Sequence, residues 1–202
     1  MVGLRFIVGV LILFVGFSTL IKPVDAQAVQ SSIITNEDVE QIKSWLLKPV
    51  VVISIEAQNK KYTGIEQSQI DALDQQWRKE RKEDDQPLIA AILSNPLSSY
   101  LTQIQAASSG LYTEIFVMDQ FGLNVGQSSI TSDFWQGDEG KFQKTFPNGP
   151  DGLFIDDAEF NDETKTWRAQ VNMTVVNTNK EAIGAVTVEL NLTELRRRKL
   201  GY

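Results

Sequence analysis

Two hydrophobic periods divide the chain near Gly110. Before it, apolar residues recur every three or four positions, as on one face of a helix; after it they alternate with polar residues, as along a strand. Asn36, followed by Glu37, Asp38 and Glu40, predicts a helix start with a capping side chain and acids near the positive end of the dipole. Val39, Ile42, Trp45 and Leu46 keep helical spacing behind it. Pro49 then opens a second helix running towards Lys61, although 50–55 is β-branched. Ser68 caps a third, with Ile70, Leu73 and Trp77 on one face and a solvated charge run at 78–85. A short helix over 87–93 follows. Asn95-Pro96 starts another through Leu97, Leu101 and Ile104, and Ser108-Ser109-Gly110 closes it.

Beyond Gly110 a strand over 112–118 turns at Asp119-Gln120-Phe121-Gly122 into a second at 123–126, and 153–159 reads as a third. Residues 166–176 alternate cleanly: Trp167, Ala169, Val171, Met173 and Val175 on one face, Arg168, Gln170, Asn172 and Thr174 on the other. A turn at 177–180 sends 182–191 back antiparallel, with Val186, Val188 and Leu190 on one face. Asn161-Asp162-Glu163-Thr164 reads as a hairpin turn. The expected fold is α+β: an antiparallel sheet of about five strands with the N-terminal helices packed on one face.

The first residues change the picture of compartment. Arg5, an apolar run at 6–21, Lys22-Pro23 and Val24-Asp25-Ala26 have the layout of a secretory signal peptide with a small-x-small exit. The alternative is a retained anchor, since the run is slightly short of the roughly 20 residues a spanning helix needs. The expected organisation is a signal peptide at 1–26 and one domain at 27–202, with a helical half at 35–110 and a sheet half at 111–202. The expected location is periplasmic.

The chain carries a formal charge of −7, which becomes −8 without Arg5, Lys22 and Asp25. That balance argues against a nucleic-acid partner. The basic run at 196–199 is expected to end a helix or form a solvated tail. Cysteine and histidine are absent, which excludes thiol nucleophiles, Ser-His triads, imidazole bases and nearly all zinc sites. The expectation is a non-catalytic protein without a cofactor.

Three stretches sharpen the fold: Glu114-Ile115-Phe116-Val117-Met118-Asp119, then Gly122-Leu123-Asn124-Val125-Gly126-Gln127, then Thr131-Ser132-Asp133-Phe134-Trp135-Gln136-Gly137-Asp138-Glu139. With Ile70-Asp71-Ala72-Leu73-Asp74-Gln75-Gln76-Trp77 and Asn95-Pro96-Leu97, they resemble the free-standing exported PDC sensor, or single Cache, proteins, whose fold is PAS-like. The resemblance implies an extracytoplasmic domain that binds a small solute between the sheet and the loops over its open face. Longer relatives join such a domain to a membrane helix and an output module. None follows here before Tyr202, so the expectation is of a sensor that reports through a separate partner, such as a membrane-bound signalling protein.

The best ligand-site candidates follow from that expectation. Phe134, Trp135 and Phe142 offer flat apolar surface; Gln136, Asp138 and Lys141 offer hydrogen bonds and charge, the mixture small-solute pockets need. Asp133 and Gln136 have capping-box spacing, which predicts a short helix there. Arg168, Gln170 and Asn172 are expected to line the sheet face beneath the Trp135 loop. Arg168 or Lys141 would hold a carboxylate, and Asp156 or Asp157 an amine. The implied partner is an amino acid, organic acid or amine. Each residue has a plainer reading as core or solvated strand face.

Calcium on Asp156, Asp157 and Glu159, or on Asp133, Asp138 and Glu139, lacks the usual loop. Glycoside hydrolysis lacks two carboxyls fixed across a cleft. The competing function is a non-ligand interaction or adaptor module, in which the Ile42/Trp45 and Ile70/Leu73/Trp77 faces make a contact or a homodimer.

Overall fold

A computed structural model describes residues 29–201. The expected signal peptide, and with it the question of cleavage or anchoring, lies outside the described residues. Five helices come first: α1 (Asn36–Leu46), α2 (Pro49–Lys61), α3 (Gln67–Glu80), α4 (Pro87–Leu93) and α5 (Pro96–Ala107). Then follow β1 (Tyr112–Asp119), β2 (Asn124–Gln127), the short α6 (Gly140–Gln143), β3 (Leu153–Ile155), β4 (Glu159–Asn161), β5 (Thr166–Val176), β6 (Ala182–Asn191) and α7 (Leu192–Lys199). Among the described residues no helix is long and apolar enough to cross a membrane.

The six strands form one antiparallel sheet in the order β2-β1-β6-β5-β3, with β4 also pairing β5. Strand alternation sends Ile115, Val117, Val171, Met173, Val186 and Val188 to one face, where they pack against Ile42, Val51, Ile55, Leu97 and Leu101 of the helices. Each such side chain, fully buried, contributes roughly 1.5–3 kcal/mol, so this layer dominates stability. The other face carries Phe116, Met118 and Ala185, and the segment after β2 folds across it. Phe142 and Phe146 of that segment stack 5.4 Å apart over the same cluster.

Several boundaries differ from the sequence reading, each for a local reason. The cap of α1 is Thr35, whose backbone N–H donates to Asp38 Oδ2 at 2.7 Å, so Asn36 lies inside the helix. The cap of α3 is Glu66 rather than Ser68, with Gln69 closing the capping box. The single strand expected over 153–159 is two. Ile155 pairs with Val171 and Glu159 with Arg168, four steps on one side against three on the other, so residues between them bulge out of the ladder. The sheet has six strands because of that break.

The stretch around Phe134 is extended, and the short helix comes only at α6. Asn124 N–H donates to the Phe134 carbonyl at 3.0 Å and Gln136 N–H to the Gly122 carbonyl at 2.8 Å, so the stretch runs beside β2. Asp74 of α3 fixes it, since Oδ1 accepts the N–H groups of Phe134 at 2.8 Å and Trp135 at 3.1 Å. Phe134 then stacks on Trp77 at 5.3 Å. The basic run ends α7 as expected: Arg197 and Arg198 both pair with Glu194, and Lys199 reaches Asp38 at 2.7 Å.

Candidate functional site

A cavity of about 410 Å³ opens where the sheet, the α6 segment and the β3–β4 break meet. Glu139, Gly140 and Lys141 form one wall, and Asp156, Asp157 and Glu159 a second. Arg168 and Gln170 of β5 and Glu189 of β6 make the floor. The break in the ladder is what puts both Asp156 and Asp157 on the cavity, because neighbours in a continuous strand would face opposite ways.

Charge in the cavity is unevenly matched. Arg168 Nη1 lies 2.7 Å from Glu189 Oε1, and its Nη2 donates to Thr164 Oγ1 at 3.0 Å. Lys141 Nζ lies 2.9 Å from Glu139 Oε2 and donates to Gln136 Oε1 at 3.3 Å. Both cations are thus committed, while Asp156, Asp157 and Glu159 form no ion pair among the described residues.

Beside the floor, Glu114 of β1 stands directly opposite Glu189 in the β1–β6 register. Burial and the Glu189 charge push the Glu114 carboxyl up to about 7, against the pull of Lys141, the Ser129 hydroxyl and Arg168.

Five of the ligand-site candidates singled out from sequence meet here: Lys141, Asp156, Asp157, Arg168 and Gln170. Gln136 is buried one step behind them, holding Lys141 and, through Nε2, Asp133. Phe142 lies in the apolar cluster above Phe116. Asn172 is buried in the sheet, accepting from Thr187 Oγ1 at 2.8 Å and donating to the Phe154 carbonyl at 3.2 Å. Phe134 and Trp135 belong to a separate cluster with Trp77 and Leu123, and the Trp135 indole donates to the Phe121 carbonyl at 2.9 Å. Asp138 is exposed. None of these last five side chains, from Phe142 on, lines the cavity.

The sequence reading passed over Glu114 and Glu189. Counting back from the turn, with Val176 opposite Ala182, would put Val188 opposite Gln170. A register shift between Val175 and Val176 brings Glu189 there instead, so the available signal was alternation, which puts Glu189 on the face opposite Val186, Val188 and Leu190. Among the described residues no group of three or more acids is arranged to hold a metal ion. A second groove, of about 480 Å³, lies against Tyr62, Ile65 and Leu73 at the α2–α3 turn.

The site therefore defines a class: an α+β domain with a charged cavity between one sheet face and the segment folded over it. No protein-family model matches the chain, and no curated protein sequence matches it. The chain is similar to the following solved structures among others. The ligand-binding domain of the Campylobacter jejuni chemoreceptor Tlp3, in complex with L-valine, is 14% identical, with a TM-score of 0.39 over 83% of this chain and 64% of that one. The V. cholerae histidine kinase DctB sensor domain is 13% identical, with a TM-score of 0.32 over 81% and 60%. The ligand-binding domain of the Pseudomonas aeruginosa PAO1 amino acid chemoreceptor PctC, in complex with GABA, is 11% identical, with a TM-score of 0.32 over 64% and 59%. This chain thus spans less than two thirds of each of these chains. The ligands named for these structures are those proteins' own.

Proposed function

We propose that this protein is an extracytoplasmic sensor domain that binds a small organic solute carrying a protonated amine, without catalysis, and reports through a separate partner. One observation carries the reading: in a cavity of ligand size, both cations are already paired and three carboxylates are not. A simple organic acid would have to break an existing ion pair to bind. An amine would instead find uncompensated acids, and an amino acid could add its carboxylate by competing for Arg168 or Lys141. Export rests on Arg5, the apolar run at 6–21 and the Val24-x-Ala26 exit, and a secreted form beginning at Gln27 is its direct check.

A thermal-shift screen of amines, amino acids and organic acids at one pH tests the reading. A ligand at 100 times its dissociation constant stabilises by about 2.7 kcal/mol, a shift of roughly 5–10 °C for a domain of this size. Amines should shift the wild type, and Asp156→Asn combined with Asp157→Asn should remove the shift while leaving the unliganded melt nearly unchanged. A shift given only by organic acids, or an amine shift that survives the double substitution, would overturn it.

A second reading, an interaction module or homodimer, is favoured by a different observation. The expected Ile42/Trp45 and Ile70/Trp77 contacts are buried within the chain, but Leu47, where α1 ends, is 70% exposed and Ile53 of α2 63%, which leaves these two large aliphatic side chains for such a contact. Ile53→Asp should leave a monomer unaltered in light scattering and halve the mass of such a dimer.

A further inference from the structure

We propose that Glu114 and Glu189 form a proton-linked carboxylate pair that sets the charge beneath the cavity, so that its preference for a cationic occupant is graded by pH. This regulation rests on the amine-binding reading, but the proton linkage itself can be observed without ligand.

The geometry begins in the backbone. Tyr112 pairs with Leu190 and Glu114 with Glu189, two steps on β1 against one on β6, so Thr113 bulges. With the bulge the Thr113 hydroxyl donates to Glu189, while Glu114 stands directly across from Glu189 in the register. Like charges directly opposite on paired strands repel, and the repulsion is relieved by a cation or by a proton. The cation is already assigned, since Arg168 of β5 holds Glu189 at 2.7 Å. Among the described residues Glu114 receives only the Ser129 hydroxyl, at 3.4 Å.

From the covering segment Lys141 faces Glu114, but its ammonium is committed to Glu139 at 2.9 Å and lies 5.4 Å from the ring centre of Phe116, two residues along the same strand face. The charged groups around Glu114 are therefore Glu189 from β6, Arg168 from β5 and Lys141 from α6. Of the two carboxyls, Glu114 is the one left to keep a proton. When it loses that proton, a second negative charge appears under a cavity that already holds three uncompensated acids. A cation then binds more tightly, and by reciprocity a bound cation favours proton release.

Carboxyl carbon NMR of the full-length protein without ligand tests the pair. The Glu114 resonance should titrate with a midpoint within about one unit of 7, and Glu189→Gln should move that midpoint down, because the repelling charge is gone. A Glu114 midpoint below about 5.5, or one unmoved by Glu189→Gln, overturns the proposal. Glu114→Gln, a neutral stand-in for the protonated group, assigns the resonance even where the Glu189 variant folds poorly.

Putrescine, whose amines stay protonated from pH 6 to 8, is the ligand probe. Its affinity should rise about five-fold or more over that range in the wild type and stay flat in Glu114→Gln. If putrescine fails to bind at either pH while the carboxyl titration stands, the amine reading falls and the proton-linked pair remains. If putrescine binds with the same pH dependence in both proteins, the pair does not govern the cavity and the proposal fails.

Discussion

Arg168 and Glu189 meet at 2.7 Å across the β5–β6 hairpin, on a sheet face where acids outnumber cations. Neither residue lies directly opposite the other. Arg168 pairs in register with Asn191 and Gln170 with Glu189, so the guanidinium leans diagonally to reach its partner. Its commitment to Glu189, with that of Lys141 to Glu139, leaves no unpaired cation among the described residues that line the cavity. Glu189→Gln should release it: acetate or succinate, inert towards the wild type in a thermal-shift assay, should stabilise the variant. An unchanged response to both acids would mean that Arg168 is not held in reserve.

Asp74 should matter far more for stability than its place on a helix surface suggests. It accepts two backbone N–H groups from the stretch beside β2 and lies 2.6 Å from Arg78 Nε. Asp74→Ala leaves one buried and one half-buried donor unmet, at a cost of about 2–4 kcal/mol. Asp74→Asn keeps an acceptor and should lose less. Urea unfolding followed by far-ultraviolet circular dichroism measures both.

Gly122→Ala should destabilise by about 3 kcal/mol. Gly122 has φ +80°, and an added Cβ would lie 2.6 Å from the Gly137 Cα, backbone that cannot swing aside. Gly64 has a similar φ of +76° but open space around it, so Gly64→Ala should cost only about 1 kcal/mol. Equal losses at the two sites, by denaturant unfolding, would show that the close approach to Gly137 is of no consequence.

Glu114 gives the domain an acid-side stability signature. Its folded pKa is raised to about 7 from an ordinary carboxylate value near 4.5. Below the ordinary value both states hold the proton and the group contributes nothing. As pH rises towards 7 the unfolded chain releases the proton while the folded chain keeps it, so stability falls; above 7 the loss levels off. The fall is at most roughly 3 kcal/mol. Glu114→Gln should flatten the melting temperature across pH 4.5–7, and a wild-type curve that rises through that window would contradict the assignment.

Much of the fold was legible in the chain because short-range physics fixed it. The change of period at Gly110, the prolines at 49, 87 and 96, and the alternation at 166–176 match the observed elements. The misplaced caps at Asn36 and Ser68 shift a boundary by one or two residues, since neighbouring side chains compete for the same orphan N–H groups. The candidate site was legible only in part. Lys141, Asp156, Arg168 and Gln170 carry charge or polarity at positions that alternation sends to one face, or to a segment bound to cover it. Trp135 looked equally suited, but Asp74 on a distant helix captures its backbone.

By itself the sequence determined the helical and stranded halves, the two faces of β5 and the absence of histidine and cysteine chemistry, all set by residue type and local spacing. Only the tertiary structure decided which charges neutralise one another. The break between β3 and β4, the bulge at Thr113 and the pairing of Arg168 with Glu189 depend on how strands far apart in the chain fall into register. An ion pair forms between groups that register brings within a few ångströms, whatever their separation in sequence.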